Sequence, residues 1–185
     1  MKKTNQKQSA IELELAWLVQ SLPADLKKHR SVVIRQAYLA SDDPKVKDIR
    51  IREKGGKYTQ TTKTFLKNAQ ETGFNREETI EIEKKEFDEF FRQSKKRVKK
   101  IRYFYPLADN LIAEVDLYQD NLKGLDVVEV EFPNFLAYEN FTPPAWFGKE
   151  VTDSKGVYPP LIANLTIKEV NEINQKYRQK PHDFG

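Results

Sequence analysis

Pairs of like-charged residues, two positions apart, recur along this sequence. The first is Glu12 with Glu14 in IELELAWLV, and the second is Arg50 with Arg52 in IRIRE. The others are Lys100 with Arg102, Glu114 with Asp116, and Glu129 with Glu131. Side chains two apart on a strand leave from the same face, so each pair would place two like charges side by side. Paired carboxylates suit hard divalent cations, and paired cations suit an anion.

The separation of the two signs is the informative part of this pattern. Any one pair could be an ordinary solvated strand face. A random surface would mix the signs, however, whereas here carboxylates keep to some strands and cations to others. Each pair repels itself unless something compensates it. An anion that arrives with its own metal would compensate both kinds of strand, and the simplest such anion is a polyphosphate.

The hydrophobic pattern supplies the strands that must carry these pairs. Alternation predicts strands over 11–19, 32–39, 47–53, 57–65 and 75–83, and three more in VKKIRYFYPL, NLIAEVDLYQ and LDVVEVEFPN. Gly55-Gly56 predicts a hairpin, because glycine tolerates positive φ. The helical spacing of Phe87, Phe90 and Phe91 predicts a helix over 84–97. Thr166, with a glutamate three residues on, predicts the start of a C-terminal helix over 166–178.

These elements indicate an α+β fold that is mainly β. A sheet of about eight antiparallel strands that closes on itself would turn the charged faces inward, around a lumen wide enough for one small ligand. The apolar faces would then pack against the helices. We therefore expect a closed eight-stranded antiparallel tunnel barrel with a charged lumen and helices packed outside. Glu12 and Glu14 would point into this tunnel as metal ligands.

Composition limits the class of protein. The chain has 185 residues, of which 38% are hydrophobic, and we expect a single domain over 1–185 with its core at about 11–163. It contains no cysteine, which excludes thiolate chemistry and fits the cytoplasm. No apolar run approaches the roughly 18 residues that a membrane helix needs, so we expect a soluble protein.

Other chemistries are disfavoured by the same composition. The net charge of +4 is modest, and the paired carboxylates repel phosphate, which argues against a nucleic-acid partner. The two histidines, His29 and His182, lie outside the predicted strands. A histidine-based metal site or acid–base catalyst is therefore not expected.

The ordered motifs carry a family resemblance that spans about 11–163. IELEL, IRQAYL, IRIR, TTK, REETIEIE, KKIRY and EVD occur in that order, followed by LKGLDVVEVEF and PPAWFGKEVT. The set closely resembles the CYTH superfamily, the triphosphate tunnel metalloenzymes, which include class IV adenylyl cyclases, thiamine triphosphatases and bacterial inorganic tripolyphosphatases. The resemblance implies an eight-stranded tunnel barrel, dependence on Mg²⁺ or Mn²⁺, and chemistry on a triphosphate.

The resemblance also assigns roles by position. The metal ligands that it implies are Glu12, Glu14, Glu114, Asp116, Glu129 and Glu131. The phosphate-binding residues that it implies are Arg35, Arg50, Arg52, Lys63, Lys100 and Arg102, although Arg35 could equally face outward. Arg50, Arg52 and Lys63 are the predicted catalytic residues, since they would neutralise charge that develops on the transferred phosphoryl group.

One position departs from the family's Glu-x-Glu-x-Lys motif, because its lysine is Ala16 here. The loss of one cation beside a triphosphate is expected to slow turnover. We expect metal-dependent hydrolysis of a small triphosphate, foremost inorganic tripolyphosphate, by a monomer or homodimer. Two alternatives stay open: an adenylyl cyclase that converts ATP to cyclic AMP and diphosphate, and a catalytically weakened protein that binds a triphosphate or nucleotide (tripolyphosphate, ATP or another organic triphosphate).

The strand over 75–83 can be read in two registers. Either Glu77, Thr79, Glu81 and Glu83 face the lumen, or Arg76 and Glu78 do. A slip of one residue exchanges the two faces. We favour Glu81 and Glu83 as further lumen residues.

Overall fold

The computed structural model describes residues 8–11, 13–65, 75–152 and 162–177. Glu12, a predicted metal ligand, lies outside these ranges. The strands are β1 (Gln8–Ile11), β2 (Glu14–Val19), β3 (Ser31–Leu39), β4 (Val46–Lys54), β5 (Lys57–Phe65), β6 (Asn75–Glu81), β7 (Arg97–Pro106), β8 (Ile112–Tyr118), β9 (Asp126–Glu131) and β10 (Phe147–Glu150). The α-helices within the described ranges are α1 (Lys84–Gln93), α2 (Phe135–Glu139) and α3 (Ile167–Tyr177).

The chain is antiparallel β-sheet with a few helices, which confirms the mainly β class. It divides into two compact units. Unit 1 comprises Met1–Glu12 and Ile34–Val98, and unit 2 comprises Leu13–Val33 and Lys99–Gly185. No described helix has an apolar stretch long enough to cross a bilayer.

Unit 1 holds strands in the order β1-β6-β5-β4-β3. Gly55 and Gly56 join β4 to β5 with φ of 59° and 80°, which confirms the predicted hairpin. The helix α1 lies on one face of this sheet, where the buried Phe87 packs against Ala37 and Ile51. The opposite face of the same strands is therefore left to the charged residues.

Unit 2 holds strands in the order β7-β8-β9-β2-β10. Its core lies on the face that carries Trp17, Val115 and Val128, all of them buried. The Trp17 ring contacts Phe141 and Phe147, with ring centroids 5.6 and 4.9 Å away. Trp17 is thus a packing residue, and the charged residues of these strands lie on the other face.

The opening strand differs from the prediction. A single strand was expected over 11–19, but the structure divides this segment into β1 and β2. β1 pairs with β6, whereas β2 pairs with β9 and β10, so the chain changes neighbours between the two strands. The short elements α2 and β10 were not predicted at all.

The C-terminal helix begins as predicted, with a capping box. The backbone N–H of Thr166 donates to Glu169 Oε2 at 2.8 Å, and the N–H of Glu169 donates to Thr166 Oγ1 at 3.3 Å. Val170 is buried, and Asn174 Nδ2 donates to the carbonyl of Gly124 at 2.9 Å. These contacts hold α3 within unit 2.

Candidate active site

The charged face of unit 1 is built by neighbouring strands in register. Arg50 on β4 lies opposite Thr61 on β5, which lies opposite Thr79 on β6. Lys63 on β5 lies opposite Glu77 on β6. Directly opposed residues of antiparallel strands share a face, so the structure brings the predicted catalytic residues of β4 and β5 together. We call this surface the basic face; its charged members are Asp48, Arg50, Arg52, Lys54, Lys57, Lys63, Glu77 and Glu81.

Contacts within the basic face hold its cations in place. Arg50 Nη2 donates to Glu77 Oε1 at 2.6 Å, with the two side chains 12% and 15% exposed. Lys63 is buried, and the hydroxyls of Thr61 and Thr79 lie 2.9 Å apart. A buried lysine and two partly buried arginines among hydroxyl groups form a surface that can bind an anion with several oxygens.

The register of β6 places Glu77, Thr79 and Glu81 on the basic face. Their Cα partners on β5 are Lys63, Thr61 and Thr59. Glu83 lies beyond the end of β6, at the residue that precedes α1, and its carbonyl accepts from Phe87 N. Glu83 is exposed and is not a residue of this face, because the strand ends before it.

Arg35 does not join the other predicted phosphate-binding residues of unit 1. It alternates with Gln36 on β3 and therefore lies on the face that α1 covers. Its Nε donates to Glu53 Oε2 at 2.9 Å, and its guanidinium lies 5.3 Å from the Phe87 ring centroid. Arg35 and Arg50 thus lie on opposite faces of the sheet, which agrees with the alternative prediction that Arg35 faces outward.

Sequence reasoning left residues of the basic face out of the predicted site. Glu77, the partner of Arg50, was considered only as part of one register. Asp48 lies opposite Lys63 and is 9% exposed, and Gln36 lies opposite Arg52. The alternation of KDIRIRE puts Asp48 two residues before Arg50 and so on the same face, and this signal was overlooked. IRQAYL contains no like-charged pair that would have set the face of Gln36.

The charged face of unit 2 is dominated by carboxylates, and we call it the acidic face. Arg102 on β7 lies opposite Asp116 on β8, and Glu114 lies opposite Glu129 on β9. Glu129 in turn lies opposite Ala16 on β2. The charged members of this face are Glu14, Lys100, Arg102, Glu114, Asp116, Glu129 and Glu131. The structure therefore brings together the predicted metal ligands that it describes, with two predicted phosphate-binding residues among them.

Arg102 is the centre of the acidic face. Its Nε donates to Asp116 Oδ1 at 2.7 Å, and its Nη2 donates to Glu129 Oε2 at 2.5 Å. Its Nη1 contacts Glu114, and Lys100 Nζ contacts Asp116. Burial alone would lower the pKa of Arg102, but the carboxylates of Asp116 and Glu129 outweigh it and raise that pKa above its usual value. The guanidinium is thus a permanent positive charge.

The donors of the acidic face fit a hard divalent cation by their chemistry. They are all carboxylate oxygens, the ligands that Mg²⁺ and Mn²⁺ prefer, and they outnumber the cations beside them. In the part of the chain that the structure describes, no three acidic or histidine residues are arranged around a common metal position. Glu114, Asp116 and Glu129 converge on the Arg102 guanidinium instead.

Ala16 occupies the position of the family lysine. Its Cα is paired with that of Glu129, so its side chain lies on the acidic face. Its backbone N–H donates to Thr152 Oγ1 at 3.0 Å, and its carbonyl accepts from Val151 N at 2.7 Å. The strand is thus correctly placed at this residue, and what is missing is the cationic side chain.

The described strands thus carry a cation-rich face in unit 1 and a carboxylate-rich face in unit 2, as the family resemblance predicted. The chain belongs to the CYTH superfamily, the triphosphate tunnel metalloenzymes. It is 36% identical over 146 residues to the inorganic triphosphatase of Nitrosomonas europaea, a match that covers 78% of this chain and 91% of that protein. No family model matches the sequence.

Solved structures agree with this assignment. The crystal structure of the inorganic triphosphatase NE1496 matches with a TM-score of 0.61 and 32% identity, over 82% of this chain and 93% of that one. A candidate adenylate cyclase from Bacillus halodurans matches with a TM-score of 0.50 and 16% identity, over 74% of this chain and 94% of its own. At that identity the second match shows the fold alone.

Proposed function

We propose that this protein is a metal-dependent triphosphatase, a hydrolase of acid anhydride bonds whose foremost substrate is inorganic tripolyphosphate. The observation that carries this proposal is the basic face, where Arg50, Arg52 and Lys63 share one side of adjacent strands. The similarity to the Nitrosomonas europaea inorganic triphosphatase supports the same reaction. We also propose that the protein works in the cytoplasm as a monomer or homodimer.

We infer that the strands close into the eight-stranded tunnel barrel that the family resemblance implies, as a single domain over 1–185. The antiparallel register within each unit supports this inference. So does the alternation along the site strands, since Arg50, Arg52 and Lys63 in unit 1, and Glu114, Asp116 and Glu129 in unit 2, lie on the face away from the apolar core.

Mg²⁺ or Mn²⁺ would be held by the acidic face. The proposed ligands there are Glu14, Glu114, Asp116, Glu129 and Glu131, with Glu12 as a further proposed ligand outside the described residues. When bound, such an ion supplies charge neutralisation and polarisation of phosphoryl oxygens. Arg102 forms ion pairs with three of these carboxylates but supplies only one positive charge, so ion and guanidinium would share them.

The chain's own cations would bind the substrate and stabilise the transition state. Arg50, Arg52 and Lys63 would hold the phosphoryl oxygens and neutralise charge that develops as the anhydride bond breaks. Lys100 and Arg102 would do so from the acidic face. Because these groups are fixed before the substrate arrives, little reorganisation is needed during the reaction.

Ala16 favours one second candidate, a protein that binds a triphosphate or nucleotide without turning it over. The position beside Glu129 lacks the cation that the family motif supplies. One preorganised donor is worth about 3 to 4 kcal/mol of transition-state stabilisation in other enzymes. Loss of that contribution could leave binding intact while turnover falls below a useful rate.

The test is incubation of the purified protein with tripolyphosphate, and separately with ATP, in Mg²⁺ or Mn²⁺. We expect orthophosphate and diphosphate from tripolyphosphate, and no release in the presence of a chelator. A Lys63→Met variant should be inactive, whereas the matched Lys85→Met variant, changed at an exposed position of α1, should keep full activity.

Two other outcomes would replace the proposed function, and a third would change the proposed site. Cyclic AMP and diphosphate from ATP would identify a cyclase. Metal-dependent binding without turnover of either substrate would identify the non-catalytic candidate. Equal loss in the Lys63 and Lys85 variants would remove Lys63 from the site.

A further inference from the structure

Gln36 on β3 is a buried polar residue that the proposed reaction has not yet used. It is 1% exposed, and its Nε2 donates to the hydroxyl of Tyr38 at 2.6 Å. Within the described residues, its Oε1 has no hydrogen-bond partner. A buried amide oxygen that is left without a donor costs about 1 to 3 kcal/mol. Such a group is rare in folded proteins and indicates a bound water, a ligand or a catalytic role.

The side chain of Gln36 lies on the basic face. Its Cα partner on β4 is Arg52, and the Cα partner of Tyr38 is Arg50. The intervening Ala37 packs with Phe87 on the opposite face, which fixes the alternation. Gln36 and Tyr38 therefore lie on the same face of the sheet as Arg52 and Arg50, and both are buried beside them.

The chemistry of the free group limits what it can bind. An amide oxygen accepts hydrogen bonds, and so does every oxygen of an ionised phosphate. Gln36 Oε1 consequently cannot grip the substrate in the way that Arg50 and Arg52 do. Its complement is a hydrogen-bond donor that stands beside a bound phosphate, and in a hydrolysis the reacting donor is water.

We propose that Gln36 positions the water that attacks the triphosphate, an inference that rests on the proposed function. Oε1 accepts a hydrogen bond from this water, and Tyr38 holds the amide in place through Nε2. The water oxygen is thereby directed at a phosphorus whose oxygens are bound by the adjacent arginines. This role is one of orientation, since an amide is too weak a base to take a proton.

The step balances without a further reagent. The water oxygen forms a bond to the terminal phosphorus, and the bond from that phosphorus to its bridging oxygen breaks with the electron pair leaving on diphosphate. One proton of the water stays on the orthophosphate, and the other passes to solvent. Gln36 is unchanged at the end of the cycle.

Steady-state kinetics of a Gln36→Met variant test this role, because methionine keeps the size of the side chain and removes the acceptor. We expect kcat for tripolyphosphate to fall about 100-fold, the usual effect of a misplaced reacting group, with KM unchanged. The melting temperature should stay the same or rise, because a buried acceptor without a partner is removed.

Gln60→Met is the matched control. Gln60 lies on β5 opposite Ile51 and Ile80, on the face away from the arginines. Its kcat and KM should both be those of the wild type. A Tyr38→Phe variant should lose less kcat than Gln36→Met, and the double variant should be no worse than Gln36→Met, since the tyrosine acts through the amide.

Several results would overturn the role of Gln36. One is an unchanged kcat in Gln36→Met. Another is a joint fall of kcat, melting temperature and apparent affinity, because a joint fall is the effect expected of a structural residue. If the methionine variant does not fold, Gln36→Asn carries the same test, because its shorter amide keeps the polarity but not the reach. A wild type without any triphosphatase activity would defeat the proposed function as well, so the two failures are distinguishable.

Discussion

The basic face of unit 1 and the acidic face of unit 2 are built alike but balanced differently. On the basic face, the cations of β4 and β5 outnumber the carboxylates beside them, and Arg50 pairs with Glu77 through one nitrogen. On the acidic face, Arg102 forms ion pairs with three carboxylates at once, and Glu14 and Glu131 lie on the same face. The first surface is suited to an anion, and the second is suited to a further cation.

Depth of burial separates the two faces as well. Asp116 is 0% exposed and Arg102 is 4% exposed, whereas the side chains of the Arg50–Glu77 pair keep more than a tenth of their surface in contact with solvent. An ion pair without access to water cannot replace a lost partner by hydration. The same type of interaction should therefore matter far more to folding in unit 2 than in unit 1.

The largest expected effect is that of Asp116→Asn. The change removes the charge between Lys100 and Arg102 and leaves two buried cations short of a partner, so we expect the free energy of unfolding to fall by about 3 to 5 kcal/mol. Urea denaturation followed by circular dichroism measures it. Asp109→Asn, an exposed control in the same unit, should stay within about 0.5 kcal/mol of the wild type. Equal values for both variants would show that the buried pair is dispensable.

Ala16→Lys should sharpen the comparison by supplying a cation to the acidic face. We expect turnover of tripolyphosphate to rise about 10- to 100-fold, or roughly 1.4 to 2.7 kcal/mol in the barrier, with little change in KM. Initial rates of phosphate release measure the gain. Ala16→Met provides the length without the charge and should leave the rate as it is. If methionine helps as much as lysine, charge at this position is not what limits the reaction.

Glu77→Gln tests the milder pair of the basic face. The variant keeps the shape of the side chain but replaces a charged hydrogen bond to Arg50 by a neutral one, and we expect a loss of about 1 to 2 kcal/mol in unfolding free energy. Glu78→Gln changes the next residue, on the other face of β6, and should lower the free energy of unfolding by less. A loss as large as that of Asp116→Asn would contradict the proposed difference between the two faces.

The smallest effect concerns an exposed carboxylate of unit 2. Hydrogen bonds from the backbone N–H and the hydroxyl of Thr166 lower the pKa of Glu169. Because the pKa of Glu169 is lower in the folded state than in the unfolded state, its ionised form stabilises the fold at pH values above the unfolded pKa. This contribution is lost as the pH falls through the folded-state pKa. An NMR titration should place the Glu169 midpoint below its ordinary value, and Thr166→Ala should raise it. An unchanged midpoint in the variant would assign the shift to another cause.

Local patterns were enough to predict most of the framework. Period-two alternation located the strands, Gly55-Gly56 located a hairpin, and the Thr166 capping box located α3, because each signal is complete within a few residues. The face of the paired charges followed from the same alternation. These features need no knowledge of which strands become neighbours.

Features that depend on neighbours were harder to predict. Arg35 has no like-charged companion two residues away, so only its contact with α1 reveals its face. Glu83 reads as strand by alternation, but the start of α1 ends the strand before it. The network around Arg102 joins three strands, and no short segment contains the information that its carboxylates meet on one guanidinium.

The backbone of Ala16 has a consequence for how such a protein can change over evolutionary time. Both of its peptide groups are held from outside, by Thr152 and Val151, and its side chain contributes to neither bond. Mutation at this codon can therefore add or remove a charge without moving the strand. A lineage could adjust the speed of its chemistry here by single substitutions, while selection for folding acts elsewhere in the chain.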